Sequence, residues 1–128
     1  MNSEMNSEIN SQAFSEWLGS LPLQERTRAL ALMYSDLTVR TRALFLPRVA
    51  DGKEQAVLNM LHGINELHHT LANFILRWED QDASWPPHVL SEQLFWIANQ
   101  YRLASTLRSV LEFTRSRHLY RETKSPRQ

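Results

Sequence analysis

Apolar residues recur along this chain at helical spacing, three to four positions apart, in three long runs. The runs cover residues 22–46, 51–78 and 86–118. Proline marks the breaks between them, at Pro47 and at Pro86-Pro87. Because the residue before a proline disfavours the α conformation, the first run is predicted to end near Leu46. The pattern therefore predicts three long helices.

A shorter amphipathic segment precedes these runs. Phe14, Trp17 and Leu18 fall at positions i, i+3 and i+4, which predicts a short helix from Ser11 that ends at Gly19. Residues 1–10 and the tail 120–128 are polar and are predicted to be disordered. Residues 11–119 are predicted to form a single domain, since a chain of 128 residues is too short for two.

The predicted fold class is all-α: an antiparallel bundle of three long helices with the short N-terminal helix as a fourth element. The second long helix has a capping signal, because Glu54 follows Asp51 by three residues. Stripe positions shared by the three long helices predict a mutually buried core. Its predicted members are Leu30, Leu37, Ile64, Leu67, Leu71, Ile97, Tyr101 and Leu111.

The third long run differs from the second in having apolar residues well outside its main stripe. These are Phe95, Trp96, Leu103, Val110 and Phe113. A helix that is apolar around much of its circumference is central in its bundle or is covered on a second face. This set therefore predicts an interface, either in a homodimer or with a protein partner. The competing interpretation is that Phe14, Trp17 and Leu18 of the N-terminal helix cover part of it.

Composition narrows the function classes. The net charge is zero and acidic and basic blocks alternate along the chain, which is not the strongly basic balance typical of nucleic-acid binding. Six arginines would share a basic surface if the first and third long helices were neighbours: Arg40, Arg42, Arg48, Arg108, Arg115 and Arg117. The preferred interpretation is composition bias together with salt bridges to the acidic second helix. The longest apolar run falls far below the roughly 20 residues that span a bilayer, and the first residues lack a signal-peptide pattern. A cytoplasmic, non-membrane protein is expected.

One cluster of polar residues lies within two turns of the second long helix: His62, Asn65, Glu66, His68 and His69. His62, Glu66 and His69 share a polar face, and two imidazoles with a carboxylate are acceptable ligands for zinc or iron. Ferritin-like bundles, however, use two Glu-x-x-His motifs and two further carboxylates, whereas this chain has one such motif. The preferred interpretation is a solvated face. A metal or small-ligand site is the alternative.

His68 falls inside the apolar stripe, unlike the other two histidines of the cluster. It is predicted to be largely buried and hydrogen-bonded across helices to Tyr34, to Tyr101 or to a carbonyl group. Burial disfavours imidazolium, so its pKa is expected to lie below the reference value of about 6.5.

The chain has no cysteine, only three glycines, and no nucleophile or phosphate-binding motif. No catalytic residue, resident metal or cofactor is predicted. The expected function is that of a non-enzymatic interaction or regulatory module that self-associates or binds a protein partner.

Overall fold

The computed structural model describes residues 9–124, and within that range all regular secondary structure is helical, as predicted. The five helices are α1 (Ser11–Gly19), α2 (Leu23–Ala50), α3 (Glu54–Glu79), α4 (Pro87–Gln100) and α5 (Ala104–Lys124). Within these residues, no helix is long and apolar enough to cross a bilayer. Residues 1–8 and 125–128, which belong to the segments predicted to be disordered, lie outside the described range.

The helices pack as a ring of four with α1 attached to one side. Helix α2 packs against α3 and α5, and α4 completes the ring by packing against both of these helices. Helix α1 lies against α4. Helices α2 and α5 run antiparallel: Glu25 of α2 contacts His118 near the end of α5, whereas Arg40, further along α2, contacts the earlier residue Phe113.

The core lies between the ring helices and extends to α1, and the predicted core set is confirmed with one exception. Leu30, Leu37, Ile64, Leu67, Leu71, Ile97 and Leu111 are all buried in one apolar cluster. Tyr101 is only partly buried, because its hydroxyl reaches the surface and donates a 2.7 Å hydrogen bond to Oε2 of Glu66. Its ring packs against the core while its polar tip stays at the surface, as is common for tyrosine.

The third long helix of the prediction is in fact two helices. Helix α4 ends at Gln100, and Arg102 adopts a left-handed conformation with φ of 60°. The Leu103 N–H then donates to the Ala98 carbonyl oxygen at 2.6 Å, and the Arg102 N–H donates to Asn99 at 3.3 Å. This is the Schellman pattern, which ends helices and is usually formed by glycine at the left-handed position.

The turn between α4 and α5 packs closely against α3 at Gly63. A Cβ at position 63 would lie 2.6 Å from Cδ1 of Leu103 and 2.7 Å from Cβ of Tyr101. Glycine in a helix interior costs about 1 kcal/mol relative to alanine. That cost is offset here because the missing side chain lets the turn approach α3 and bury Leu103. The break therefore results from tertiary packing, since the local sequence contains neither glycine nor proline.

The boundary between the first two long helices also differs from the prediction. Helix α2 continues through Pro47 to Ala50, in a stretch where Leu46 and Pro47 are exposed. Solvent can hydrogen-bond the carbonyl that Pro47 leaves unpaired, which lowers the cost of a proline in a helix. Asp51 follows the end of α2 and does not cap α3, whose N-cap position is Lys53.

The N-terminal helix α1 spans Ser11–Gly19, in agreement with the prediction. Asn10 caps it by accepting a 2.8 Å hydrogen bond from the Ala13 N–H. Ile9 is buried, so the folded part begins slightly earlier than residue 11. At the other end α5 continues to Lys124, beyond the predicted end of the helix at His118.

Candidate interaction groove

A groove of about 740 Å³ runs along the outer side of the α2–α5 pair. This volume is within the range of about 300–1,000 Å³ that is usual for ligand sites. Residues from both helices line it: Ser35, Asp36, Val39, Arg40, Ala43, Leu44, Ser105, Thr106, Ser109, Phe113 and Arg117. We call this feature the α2–α5 groove.

A buried carboxylate lies at one end of the groove. Asp36 is only 3% exposed, and its two oxygens accept hydrogen bonds from α5: one from the Thr114 hydroxyl at 2.7 Å and one from the Arg117 guanidinium. A buried carboxylate is costly unless it is paired in this way. The three residues therefore lock α2 to α5 and fix the position of Arg117.

The middle of the groove is apolar and is flanked by arginine. The guanidinium carbons of Arg40 and Arg117 lie 5.4 Å and 5.6 Å from the centroid of the Phe113 ring. Phe113 is nevertheless 44% exposed, and Val39 on the α2 wall of the same groove is 64% exposed. Among the side chains that the structure describes, no carboxylate forms an ion pair with Arg40. The groove thus presents an apolar surface next to a positive charge that the described residues do not neutralise.

A second polar contact between α2 and α5 lies further along the pair. Nε2–H of the buried His118 donates to Oε1 of Glu25 at 3.1 Å. The Trp17 ring of α1 lies edge-on to the His118 ring with 5.6 Å between centroids. This contact ties α1 to the same end of the bundle, and it leaves the groove itself uncovered.

His68 lies where α3 meets α2 and is half-buried, less than the largely buried position predicted for it. Its Nε2 lies 3.2 Å from the Tyr34 carbonyl oxygen and 3.1 Å from Oγ1 of Thr38. Because a carbonyl can only accept, Nε2 carries the hydrogen. The predicted bond across helices to a carbonyl is confirmed. Desolvation lowers the pKa of His68, and the hydrogen bond to Tyr34 opposes this in part, so the predicted direction is also confirmed.

The remaining residues of the polar cluster do not converge. His62, Asn65, Glu66 and His69 are exposed, and Glu66 accepts the hydrogen bond from Tyr101. This bond raises the pKa of the Tyr101 hydroxyl, with desolvation a smaller cause. Within residues 9–120, no group of three or more histidine, aspartate or glutamate side chains could hold a metal ion. The metal-site alternative has no geometric support there.

The five residues of the predicted interface have separate locations. Leu103 and Val110 are buried in the core, so their assignment to an exposed interface was wrong. They face the core because the turn at Arg102 separates α4 from α5, and a different set of positions faces inward after the turn. Phe95 is partly buried against the core. Trp96 on α4 and Phe113 on α5 remain exposed. The N-terminal helix does pack on α4, with Phe14 and Leu18 buried, as the competing interpretation required.

Sequence reasoning missed the polar side chains that build the groove, although a signal for them exists. Asp36 lies three positions after the buried Met33, and Thr114 lies three positions after the buried Leu111. Polar residues at stripe positions must be paired across a helix interface or exposed. Their positions on the stripe could have identified Asp36 and Thr114 as candidates. The hydrogen bond between them could not be predicted, because it joins residues 78 positions apart in the sequence.

Comparison of the chain with protein-family models, with curated proteins and with solved structures finds no match.

Proposed function

We propose that this protein is a non-enzymatic interaction module that binds a helical segment of a partner protein in the α2–α5 groove. One observation carries the proposal: Val39 of α2 and Phe113 of α5 are both exposed in one groove that Arg40 also lines. Exposed apolar surface rimmed by polar groups is typical of binding sites. A binding role is favoured over catalysis because both oxygens of the one buried carboxylate in the groove already accept hydrogen bonds.

The shape of the groove favours a helix as the ligand. Two antiparallel helices that pack side by side leave a furrow on their outer surface, and a third helix can lay its apolar ridge into it. Amphipathic helices are recognised in this way through apolar anchors spaced three or four residues apart. Val39 and Phe113 lie on opposite walls, so an anchor between them would contact both.

The charge of the groove favours an acidic residue beside the apolar anchor. Arg117 is already paired with Asp36, whereas Arg40 lies over the ring of Phe113 and forms no ion pair with the described carboxylates. Arginine binds carboxylates well because its planar guanidinium offers two parallel N–H donors. We therefore propose a partner helix with an apolar anchor flanked by aspartate or glutamate.

Selection from a displayed library of helical peptides tests this proposal. Peptides enriched on the wild-type protein should carry an apolar anchor with a nearby acidic residue. They should lose at least about tenfold in affinity for a Val39→Asp variant, because central anchor contacts dominate binding energy. The matched control is Leu76→Asp, which places the same charge at an exposed leucine on α3. Circular dichroism confirms that both variants are folded. Peptides that bind the Val39→Asp variant as tightly as the wild type would refute the proposal.

A further inference from the structure

A second exposed apolar feature lies on the α3–α4 side of the bundle. Trp96 is 66% exposed, the largest exposed fraction among the aromatic side chains that the structure describes. It borders a depression of about 450 Å³ together with Glu66, Glu92, Gln93 and Ile97. Trp96 therefore exposes its ring to solvent close to the carboxylates of Glu66 and Glu92. We call this feature the Trp96 knob.

The Trp96 knob and the α2–α5 groove are complementary in shape and in charge. The knob is an aromatic side chain on a helix, with Glu92 one turn before it on the same helix. The groove is apolar, with Arg40 at its wall. A buried indole N–H needs an acceptor, and the hydroxyls of Ser35 and Ser109 line the groove. The knob thus has both properties proposed above for the partner helix, an apolar anchor and an adjacent carboxylate.

The two features lie on opposite sides of the ring of helices. The groove belongs to the α2–α5 side, and the knob belongs to the α3–α4 side. A knob on one side of the ring is not placed to enter a groove on the other side of the same molecule. A contact between them therefore joins two molecules.

We propose that the groove of one molecule binds the Trp96 knob of a second copy of the chain, with Glu92 of the second copy beside Arg40 of the first. This inference rests on the proposed function of the groove and names one partner for it. The net charge of zero supports it, because copies of the chain do not repel one another through an overall charge.

This contact has a specific consequence for assembly. Because knob and groove are different surfaces on opposite sides, the contact is heterologous: each molecule uses its groove for one neighbour and its knob for another. Such contacts build open chains of molecules or larger rings. This contact does not produce a closed two-fold dimer, because in such a dimer both copies use the same surface.

Sedimentation velocity over a range of concentrations tests the proposal. The wild-type mass should rise with concentration beyond that of two chains, from a monomer of 15.0 kDa. Val39→Asp places a charge on the apolar wall of the groove, and Trp96→Ala removes the indole of the knob. Each variant alone should weaken association at least about tenfold, as expected for a central aromatic contact. A one-to-one mixture of the two variants retains one intact groove and one intact knob. That mixture should form a dimer and nothing larger.

A variant with matched chemistry serves as control, and three outcomes overturn the inference. Leu76→Ala removes an exposed leucine elsewhere on α3 and should leave the wild-type association unchanged. A wild-type protein that stays monomeric up to millimolar concentration, one that stops at a closed dimer, or a mixture that stays monomeric would each refute the head-to-tail contact. If groove-dependent peptides are still selected in that case, the proposed function stands and only the second copy as partner is excluded.

Discussion

The α3–α4 pair and the α2–α5 pair are held together in different ways. Both pairs bury apolar side chains in the shared core, and α3 also closes on the turn after α4 at Gly63, where the cross-helix hydrogen bond from Tyr101 to Glu66 lies at the surface. Helices α2 and α5 are in addition joined by polar contacts away from solvent, through the buried carboxylate of Asp36 and through the contact of Glu25 with the buried His118.

The difference shows how polar contacts can shape the surface of a bundle. Apolar packing stabilises in proportion to the area that it removes from water and has no preferred direction, whereas each hydrogen bond fixes the relative position of two groups. Directional hydrogen bonds hold α2 and α5 at two points and leave the surface between Val39 and Phe113 exposed. The polar pairs therefore do more than stabilise, because they fix the two walls of the groove.

The largest expected effect on stability comes from the apolar core. Leu71→Ala removes a fully buried side chain of α3 and should lower the free energy of unfolding by about 2–5 kcal/mol, through lost burial and a residual cavity. Urea denaturation measures this. The exposed Leu76→Ala on the same helix should change stability by no more than about 0.5 kcal/mol. A loss of stability under about 1 kcal/mol for Leu71→Ala would show that the core around α3 is not closely packed.

Removing the buried carboxylate of Asp36 tests the hydrogen bonds between α2 and α5. Asp36→Ala leaves Thr114 and Arg117 without their acceptor and should cost about 1–3 kcal/mol in the free energy of unfolding. Asp36→Asn keeps the shape and one acceptor oxygen, so it should cost less. The same denaturation experiment compares them. Equal stability of the wild type and both variants would mean that these hydrogen bonds do not hold the groove walls in place.

Gly63→Ala tests the close approach of α3 to the turn between α4 and α5. The added methyl group would overlap Leu103 and Tyr101, a cost of about 1–3 kcal/mol, against a gain of about 1 kcal/mol in helix propensity. We expect a net loss in thermal stability. Gly19→Ala is the matched control, since its Cβ would lie 3.8 Å from Pro87, an ordinary contact. A Gly63→Ala protein more stable than the wild type would contradict the close approach.

The smallest effect concerns His68, where α3 meets α2. Desolvation holds its folded-state pKa below the unfolded value of about 6.5, so the unfolded chain takes up the proton first. Its contribution to stability should be intact above about pH 6.5 and fall as the pH drops through that value toward the folded pKa. NMR titration of the imidazole gives the folded pKa directly, and His68→Gln should remove this part of the pH dependence. A folded pKa at or above 6.5 would contradict this account.

The regular parts of the fold could be predicted because a single stripe runs through them. In α3 the predicted positions Ile64, Leu67 and Leu71 are all buried. The stripe is uninterrupted there, so helical spacing alone identifies the inward face. For the same reason α1 was found from Phe14, Trp17 and Leu18.

The break between α4 and α5 was missed because two stripes with different phases were interpreted as one wide stripe. Ile97 and Ala98 end the stripe of α4, and Leu103 and Leu107 begin that of α5. The apparent excess of apolar residues was the sign of a turn. The groove could not be predicted for a further reason, because it depends on which helices become neighbours, and spacing along one helix does not determine that.

Methyl and aromatic NMR spectra of the protein, recorded with and without a peptide selected on it, test the central claim most directly. The α2–α5 groove predicts shifts at the methyl groups of Val39 and Leu44 and at the ring of Phe113, with Leu67 and Leu71 in the closed core unchanged. Shifts confined to the α3–α4 side, with Val39 and Phe113 unaffected, would contradict the claim that the polar-bonded pair forms the binding surface.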